Sequence, residues 1–546
     1  MKLFLTRILK LTLRKTVSKL KQSVVVMRAV RQKSINPSPL WRVVSLSHLF
    51  LVSLYNTFYF AASLTTLIGG NIYLVLALFA IPILLVPVGY SILVHIMPRS
   101  GGDYVFNSRI LHPLIGFVAN AVAVVAILLF AAINSVTIET TGFSTLFAYL
   151  GVTYSNSALT VLAEEISTFP WLFVIGLVWM LLAILVSIFS LKLYFRIQNA
   201  LFILVLLGVI SMIIAMLFTT HSGFISAFNS FISKYTGNKN DYYQEVIQTA
   251  QKDGWSAPSQ TSLFGTFLLL PVFATMGFNV NPAYIAGEIR RAGRSFLIGT
   301  LLGSTFWFAG LATGLLLAYH VMGFPFLSAT DYLLFNNPSQ VPLPALPYVD
   351  MLLATSTTPA LSIIIILAGI IQLFIYIPWA YITMSRALFA YSFDGLLPEK
   401  ISEVSDKTHG PVRAIIVSAV IAFILYIIIN IPQSATYAYL LGSIGLFIET
   451  LSVFFIGVSL ILLPLKPQLY SNSWIKAPML TLIGGVIAVY MALLEYLYMT
   501  QPVYGANTPI AIGLAVALLV LFSVVYLIQR LRKPSLQLVF KEIPPE

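Results

Sequence analysis

The sequence predicts an all-α integral membrane protein of twelve transmembrane helices, and three observations carry that prediction: the composition, the number and length of its apolar runs, and a one-sided distribution of basic residues. Of 546 residues, 59% are hydrophobic and 9% charged, and the mean hydropathy is +0.93. A water-soluble domain carries roughly a quarter of its residues charged, so this chain has too little polar surface to cover its apolar mass. The bilayer must be its solvent. The absence of cysteine excludes a disulfide framework, thiol catalysis and cysteine-bound metal. Six scattered histidines without HxxxH spacing give no metal site.

The apolar runs fall at 46–68, 71–97, 109–134, 170–190, 196–219, 262–286, 296–320, 360–390, 412–430, 436–463, 477–499 and 508–530. Each is long enough to cross about 30 Å of hydrocarbon at a rise of about 1.5 Å per residue. An even count puts both termini on one side, and the bias of Lys and Arg selects the cytoplasm of a cell membrane. In that orientation only Lys234, Lys239 and Lys252 of the 31 Lys and Arg lie outside. The outer loops instead carry acids, including Glu139, Glu164, Glu165, Asp241, Asp331 and Asp350. A net charge of +13 therefore reads as topology, and no nucleic-acid partner is expected.

Three regions follow. Residues 1–44 hold eleven Lys and Arg, spread too evenly for a cleaved signal peptide. Arg7, Lys10, Arg14 and Lys21 share one helical stripe, with Leu5, Leu9, Leu13 and Leu20 roughly opposite. This tail is either an interfacial amphipathic helix drawn to anionic lipid or an ordinary basic tail. Residues 45–530 form the membrane domain that holds the twelve spans, and 531–546 a second cytoplasmic tail.

Spans alone do not separate a channel, a carrier, a membrane enzyme or a receptor. Interruptions do, because a broken helix survives in a membrane only where it lines a cavity enclosed by protein. In the sixth span an apolar helix over 262–274 gives way to Thr275, Gly277, Phe278, Asn279 and Asn281. Asn281 followed by Pro282 is an N-cap and first-turn pair, so a second short helix is expected from 282. Its free N–H groups and positive dipole end would suit an anion such as a carboxylate. A Gly/Pro kink without a ligand is the plainer alternative.

Three stretches resemble the amino acid, polyamine and organocation permeases. They are Met97-Pro98-Arg99-Ser100-Gly101-Gly102-Asp103-Tyr104-Val105 with Arg109 and His112 to Phe117; Gly277-Phe278-Asn279 with Gly287 to Ser295; and Ser385 to Ala390 with Phe393 to Pro398 and Gly410-Pro411-Val412. They lie in the family's order and spacing, and all three fall on the cytoplasmic side. The resemblance implies the leucine-transporter-type fold, a 5+5 inverted repeat with discontinuous helices 1 and 6 and two accessory spans, and a substrate held between the breaks. In the first span Ser53, Tyr55, Asn56 and Thr57 form the matching interruption, flanked by Phe58 and Tyr59. The family's glycine-rich signature is absent there, so an amine or another small solute stays open beside amino acids.

The resemblance also frames coupling to H+ or Na+. The fifth span, 197–219, has no lysine, which removes one proton route known among relatives. Sodium-coupled members of the fold bind the cation partly through hydroxyls of the eighth span, and Thr383 and Ser385 could donate such oxygens or bond back to their own helix. The acids read as intramembrane are Glu449 and Glu495, and Glu449 in span ten is the expected proton site. The expected function is a secondary active transporter moving amino acids or related small organic ions by alternating access, with proton coupling and no cofactor. The alternatives are an amine or inorganic-cation transporter of the same fold and a non-transporting sensor. Enzymatic chemistry is not expected, since no His/Asp/Ser arrangement sits within the spans. The outer loop 220–261, with Tyr242, Tyr243 and Trp255, reads as a lid or as a segment resting on the interface.

Overall fold

The computed structural model describes residues 66–274, 280–408, 410–431, 450–534 and 536–540. Every described element is helical. Among the described residues nine helices are long and apolar enough to cross a membrane. They include α1 (Ile72–Ile96) and, after the short α2 (Asp103–Ile110), α3 (Pro113–Thr137). A π-turn at Ile138–Phe143 joins α3 to α4 (Ser144–Thr153). Next come α5 (Trp171–Ile188) and α6 (Leu191–Phe218). Outside the apolar set, α7 (His221–Thr236) and α8 (Tyr242–Lys252) precede the shorter α9 (Leu263–Ala274). A 3₁₀ segment, Asn281–Glu288, leads to α10 (Ala292–Met322), then α11 (Phe324–Asn336) and α12 (Val349–Ala354). The chain closes with α13 (Pro359–Phe393), α14 (Val412–Ile429), the apolar helix α15 (Thr450–Leu465), α16 (Ala477–Thr500) and α17 (Pro509–Arg532).

The helix starts follow local chemistry. Asn71 Oδ1 accepts from the Leu74 N–H at the head of α1, Ser190 caps α6, and Thr508 with Pro509 opens α17. These side chains satisfy amide donors that a helix start leaves free. Gly323, at φ +86°, ends α10 in a conformation that L side chains rarely adopt.

Three of the expected crossings are only partly described. Of the first, Thr66 to Ile68 are helical. The sixth is described as α9 and the 3₁₀ segment, and the tenth from Thr450 onward. The basic tail, the first-span residues Ser53 to Tyr59, and Thr275, Gly277, Phe278, Asn279 and Glu449 lie outside the described residues. One boundary is corrected. Glu139 was expected in an outer loop, but the helix from Pro113 runs on to Thr153 and buries it fully.

The long helices pack as an ordered set. α1 lies along α10, α3 along α13, and α5 along α14; α3 also meets α14, and α5 meets α13. The α6–α13 pair is extensive, and at its crossing Gly208 is so close to α13 that an added Cβ would stand 2.0 Å from Ala368 Cβ. Small residues set backbone approach between membrane helices. Gly208→Val is therefore expected to separate the pair and cost about 1–3 kcal/mol, read as a lower thermal midpoint in detergent.

At the end opposite the basic motifs, the loop 220–261 is built as a cap. Tyr243 stacks on Phe326 at 4.4 Å, its hydroxyl donates to Met322 O, and Trp255 Nε1 donates to Ser328 Oγ. These contacts fasten α8 and the turn after it to α10 and α11, so the segment is a packed layer.

Candidate functional site

The site grows from the loop between α1 and α2. After Met97 ends α1, Gly101 and Gly102 take φ values of +117° and +53° and turn the chain sharply. The Gly101 N–H donates to Tyr284 O at 3.0 Å. A Cβ on Gly101 would come within 2.6 Å of Ala390 Cβ, and one on Gly102 within 3.0 Å of the Tyr284 ring. The loop is thus wedged between the 3₁₀ segment and α13, where only bare backbone fits.

Buried polar groups lock that wedge. Arg109 Nη2 meets Asp394 Oδ2 at 2.7 Å with both side chains 3% exposed, and Tyr104 Oη donates to the same oxygen at 2.6 Å. Burial and then the Asp394 charge push the Tyr104 phenol well above its usual range. Phe540 covers the Arg109 guanidinium, 5.1 Å from its ring centre. Arg386 grips both oxygens of Glu288, Nε to Oε1 at 2.9 Å and Nη2 to Oε2 at 3.3 Å. Asn120 Nδ2 donates to Tyr284 Oη at 2.7 Å, while Tyr391 Oη donates to Asn120 Oδ1. One amide in α3 therefore joins the 3₁₀ segment to α13. The charged side chains of the motif loops pair specifically: Asp394 takes Arg109, Arg386 takes Glu288, and Arg413 takes Glu403 at the exposed surface.

α2 is also fastened to α15. Ser459 Oγ donates to Asn107 Oδ1 at 2.7 Å, and Ser452 Oγ donates to Asp103 Oδ2. Burial outweighs the bonds from Ser452 and Tyr90 and raises the Asp103 carboxyl from 3.8 to about 6. A folded-state pKa above the unfolded one means that its stability contribution is complete below the unfolded value and is lost as pH rises through about 6. Asp103→Asn still accepts from Ser452 and is expected to remove that loss. It should be more stable by up to about 3 kcal/mol at neutral to alkaline pH, with little gain in acid; thermal unfolding across pH checks it.

Of the eight residues expected to bind substrate, Tyr55, Asn56, Thr57, Thr275, Gly277, Phe278 and Asn279 lie outside the described residues. Asn281 is described. It opens a 3₁₀ segment and not an α-helix, and Val280 occupies the cap position without a side-chain bond, so Asn281 is not the expected N-cap. Its Oδ1 is buried and has no hydrogen-bond partner among the described residues. Thr383 and Ser385 donate back to Trp379 O and Ile382 O. Ser385 Oγ also accepts from Arg386 Nη1 at 3.1 Å, which sets a guanidinium beside any cation bound there. Glu495, a weaker candidate, accepts from Thr450 Oγ1 at 2.8 Å. Asn120 and Tyr284 were not singled out from sequence. A lone Asn inside the apolar run GFVANAVAVV was the available signal for the first.

At the opposite end Thr66 donates to Asp331, and Asp350 in the first turn of α12 is buried, which raises its carboxyl to about 7. Gly70 N–H donates to Ser259 O at 2.8 Å, and an added Cβ would stand 2.5 Å from Thr266 N. Among the described residues, tight contacts thus tie elements together at both ends of the bundle.

The family model described as amino acid permease matches residues 42–522, which takes in the three motif loops, the 3₁₀ segment and every numbered helix, α17 in part. No curated protein matches the chain.

Proposed function

Because the chain belongs to the amino acid permease family of the amino acid, polyamine and organocation superfamily, we propose that it carries amino acids across the membrane by alternating access, driven by a proton gradient. Twelve crossings in two inverted repeats of five, plus two accessory spans, are the architecture of this reading. The helix pairing supports it. Counting the expected first and sixth spans, α1–α10, α3–α13 and α5–α14 are the pairs two–seven, three–eight and four–nine. A two-fold axis that exchanges three with eight and four with nine turns the α3–α14 contact into α5–α13, and both contacts occur. The basic end, with Arg109, Arg386 and Arg413, faces the cytoplasm, as do both termini.

The single observation that carries the substrate reading is the unpartnered, buried Asn281 Oδ1 at the head of a 3₁₀ segment. A buried acceptor without a donor costs free energy until a ligand supplies one, and the ammonium of an amino acid does so. The substrate carboxylate is assigned to the remaining expected binding residues, Thr275, Gly277, Phe278 and Asn279 with Tyr55, Asn56 and Thr57, which lie outside the described residues. Arg386 holding Glu288 and Asn120 holding Tyr284 position the segment. Coupling to H+ is favoured over Na+ by the Arg386 guanidinium on Ser385.

Uptake of labelled solutes into proteoliposomes tests this. Accumulation of an amino acid under an acid-outside gradient is the expected result; transport of amines or potassium analogues alone would overturn the substrate class. Asn281→Leu is expected to raise the KM about ten- to hundredfold, the loss of one hydrogen bond to a charged group, while Asn281→Gln retains part of the affinity.

A further inference from the structure

Glu139 is fully buried, and among the described residues neither of its carboxyl oxygens has a hydrogen-bond partner. It sits in the π-turn between α3 and α4, and such turns recur at functional sites. The local sequence accounts for the turn. The hydroxyls of Thr137, Thr140 and Thr141 donate to carbonyls four residues back, a habit that distorts helices. Gly142 admits α13 so closely that a Cβ there would meet Ile370 at 2.6 Å.

The surroundings offer the carboxyl one idle donor. Trp179 of α5, its ring 5.9 Å from Phe143 and 5.4 Å from Phe374, is that donor, its indole N–H interacting with the carboxyl without reaching hydrogen-bond geometry among the described residues. From α14, Tyr426 lies within reach of the Glu139 charge, its own hydroxyl donated to Phe173 O. The other titratable side chains on the packed elements are Tyr149 of α4, Tyr376, Tyr381, Tyr391 and Arg386 of α13, and Arg413 of α14. Both arginines are held elsewhere, by Glu288 and Glu403. An anion in this position would lose its hydration without gaining a counter-ion, whereas a neutral acid is compatible with the packing. Ionisable groups inside a membrane protein are retained where the change of charge is used.

We propose that Glu139 is the proton-binding group of the transport cycle, neutral while spans three, four, eight and nine are packed as described. The proton leaves to water when those spans part, and the Trp179 N–H then donates a hydrogen bond to the carboxylate. This rests on the transport reading above and assigns it a coupling residue.

The test uses the full chain in proteoliposomes with two assays, amino-acid counterflow without a gradient and accumulation driven by an acid-outside pH gradient. Wild type is expected to do both. Glu139→Gln keeps counterflow and loses gradient-driven accumulation, and Glu139→Asp shifts the pH midpoint of accumulation. Accumulation by Glu139→Gln at the wild-type level and midpoint overturns the proposal. A wild-type chain without counterflow instead overturns the transport reading, and counterflow without any gradient response overturns proton coupling as a whole. If Glu139→Gln does not fold, wild type is treated with dicyclohexylcarbodiimide and mapped by mass. Modification at Glu139 with loss of accumulation supports the assignment, and an unmodified Glu139 contradicts it.

Discussion

Replacing Asp394 with alanine is expected to lower stability by about 3–5 kcal/mol, the cost of stranding one member of a buried ion pair. Asp394 is the acceptor for both Arg109 and Tyr104, so its removal leaves a guanidinium that is 3% exposed without a counter-charge and a buried phenol without an acceptor. Arg109 Nε already lacks a partner, and nothing in the described web takes over. The double variant Arg109→Met with Asp394→Leu is expected to be less damaging than either single change, because it removes the stranded charge as well as the bond. Thermal unfolding in detergent reads the three midpoints. A harmless Asp394→Ala would show that the pair does not hold α2 to the end of α13.

Gly101→Ala is the second large effect. The backbone there, at φ +117°, costs an L residue about 1–3 kcal/mol, and the 2.6 Å approach to Ala390 Cβ adds an overlap of about 1–3 kcal/mol. The loop cannot yield easily, since the same residue donates to Tyr284 O. Both the midpoint and transport should fall, because the displaced loop carries the 3₁₀ segment with it. Gly485→Ala serves as the control. It lies in α16 with nothing within 4 Å of the added Cβ, and alanine there should gain about 0.5–1 kcal/mol.

The extent of the membrane domain was legible because an apolar run of about 20 residues has few folds open to it; the expected 71–97 and 412–430 emerge as Ile72–Ile96 and Val412–Ile429. The glycines of the first motif were legible as a turn for an equally local reason. Partner choice was not. Arg109 and Asp394 are 285 positions apart, and no local rule selects Asp394 over Glu399 or Asp406. Glu139 was misplaced because a span was ended at its first polar residues, whereas Asn134, Ser135, Thr137, Thr140 and Thr141 all satisfy themselves on their own helix. Asn281 read as a cap because Asn-Pro commonly is one; the preceding Val280, already helical in its backbone angles, took that place.

In the proposed transport cycle a solute is held at the expected breaks of spans one and six. Electron cryo-microscopy of the full chain with the amino acid identified by counterflow tests it most directly. The expected map shows the ligand against residues 55–57 and 275–281, its ammonium at Asn281 Oδ1, with both helices unwound beside it. Two continuous helices with the ligand elsewhere would contradict the account.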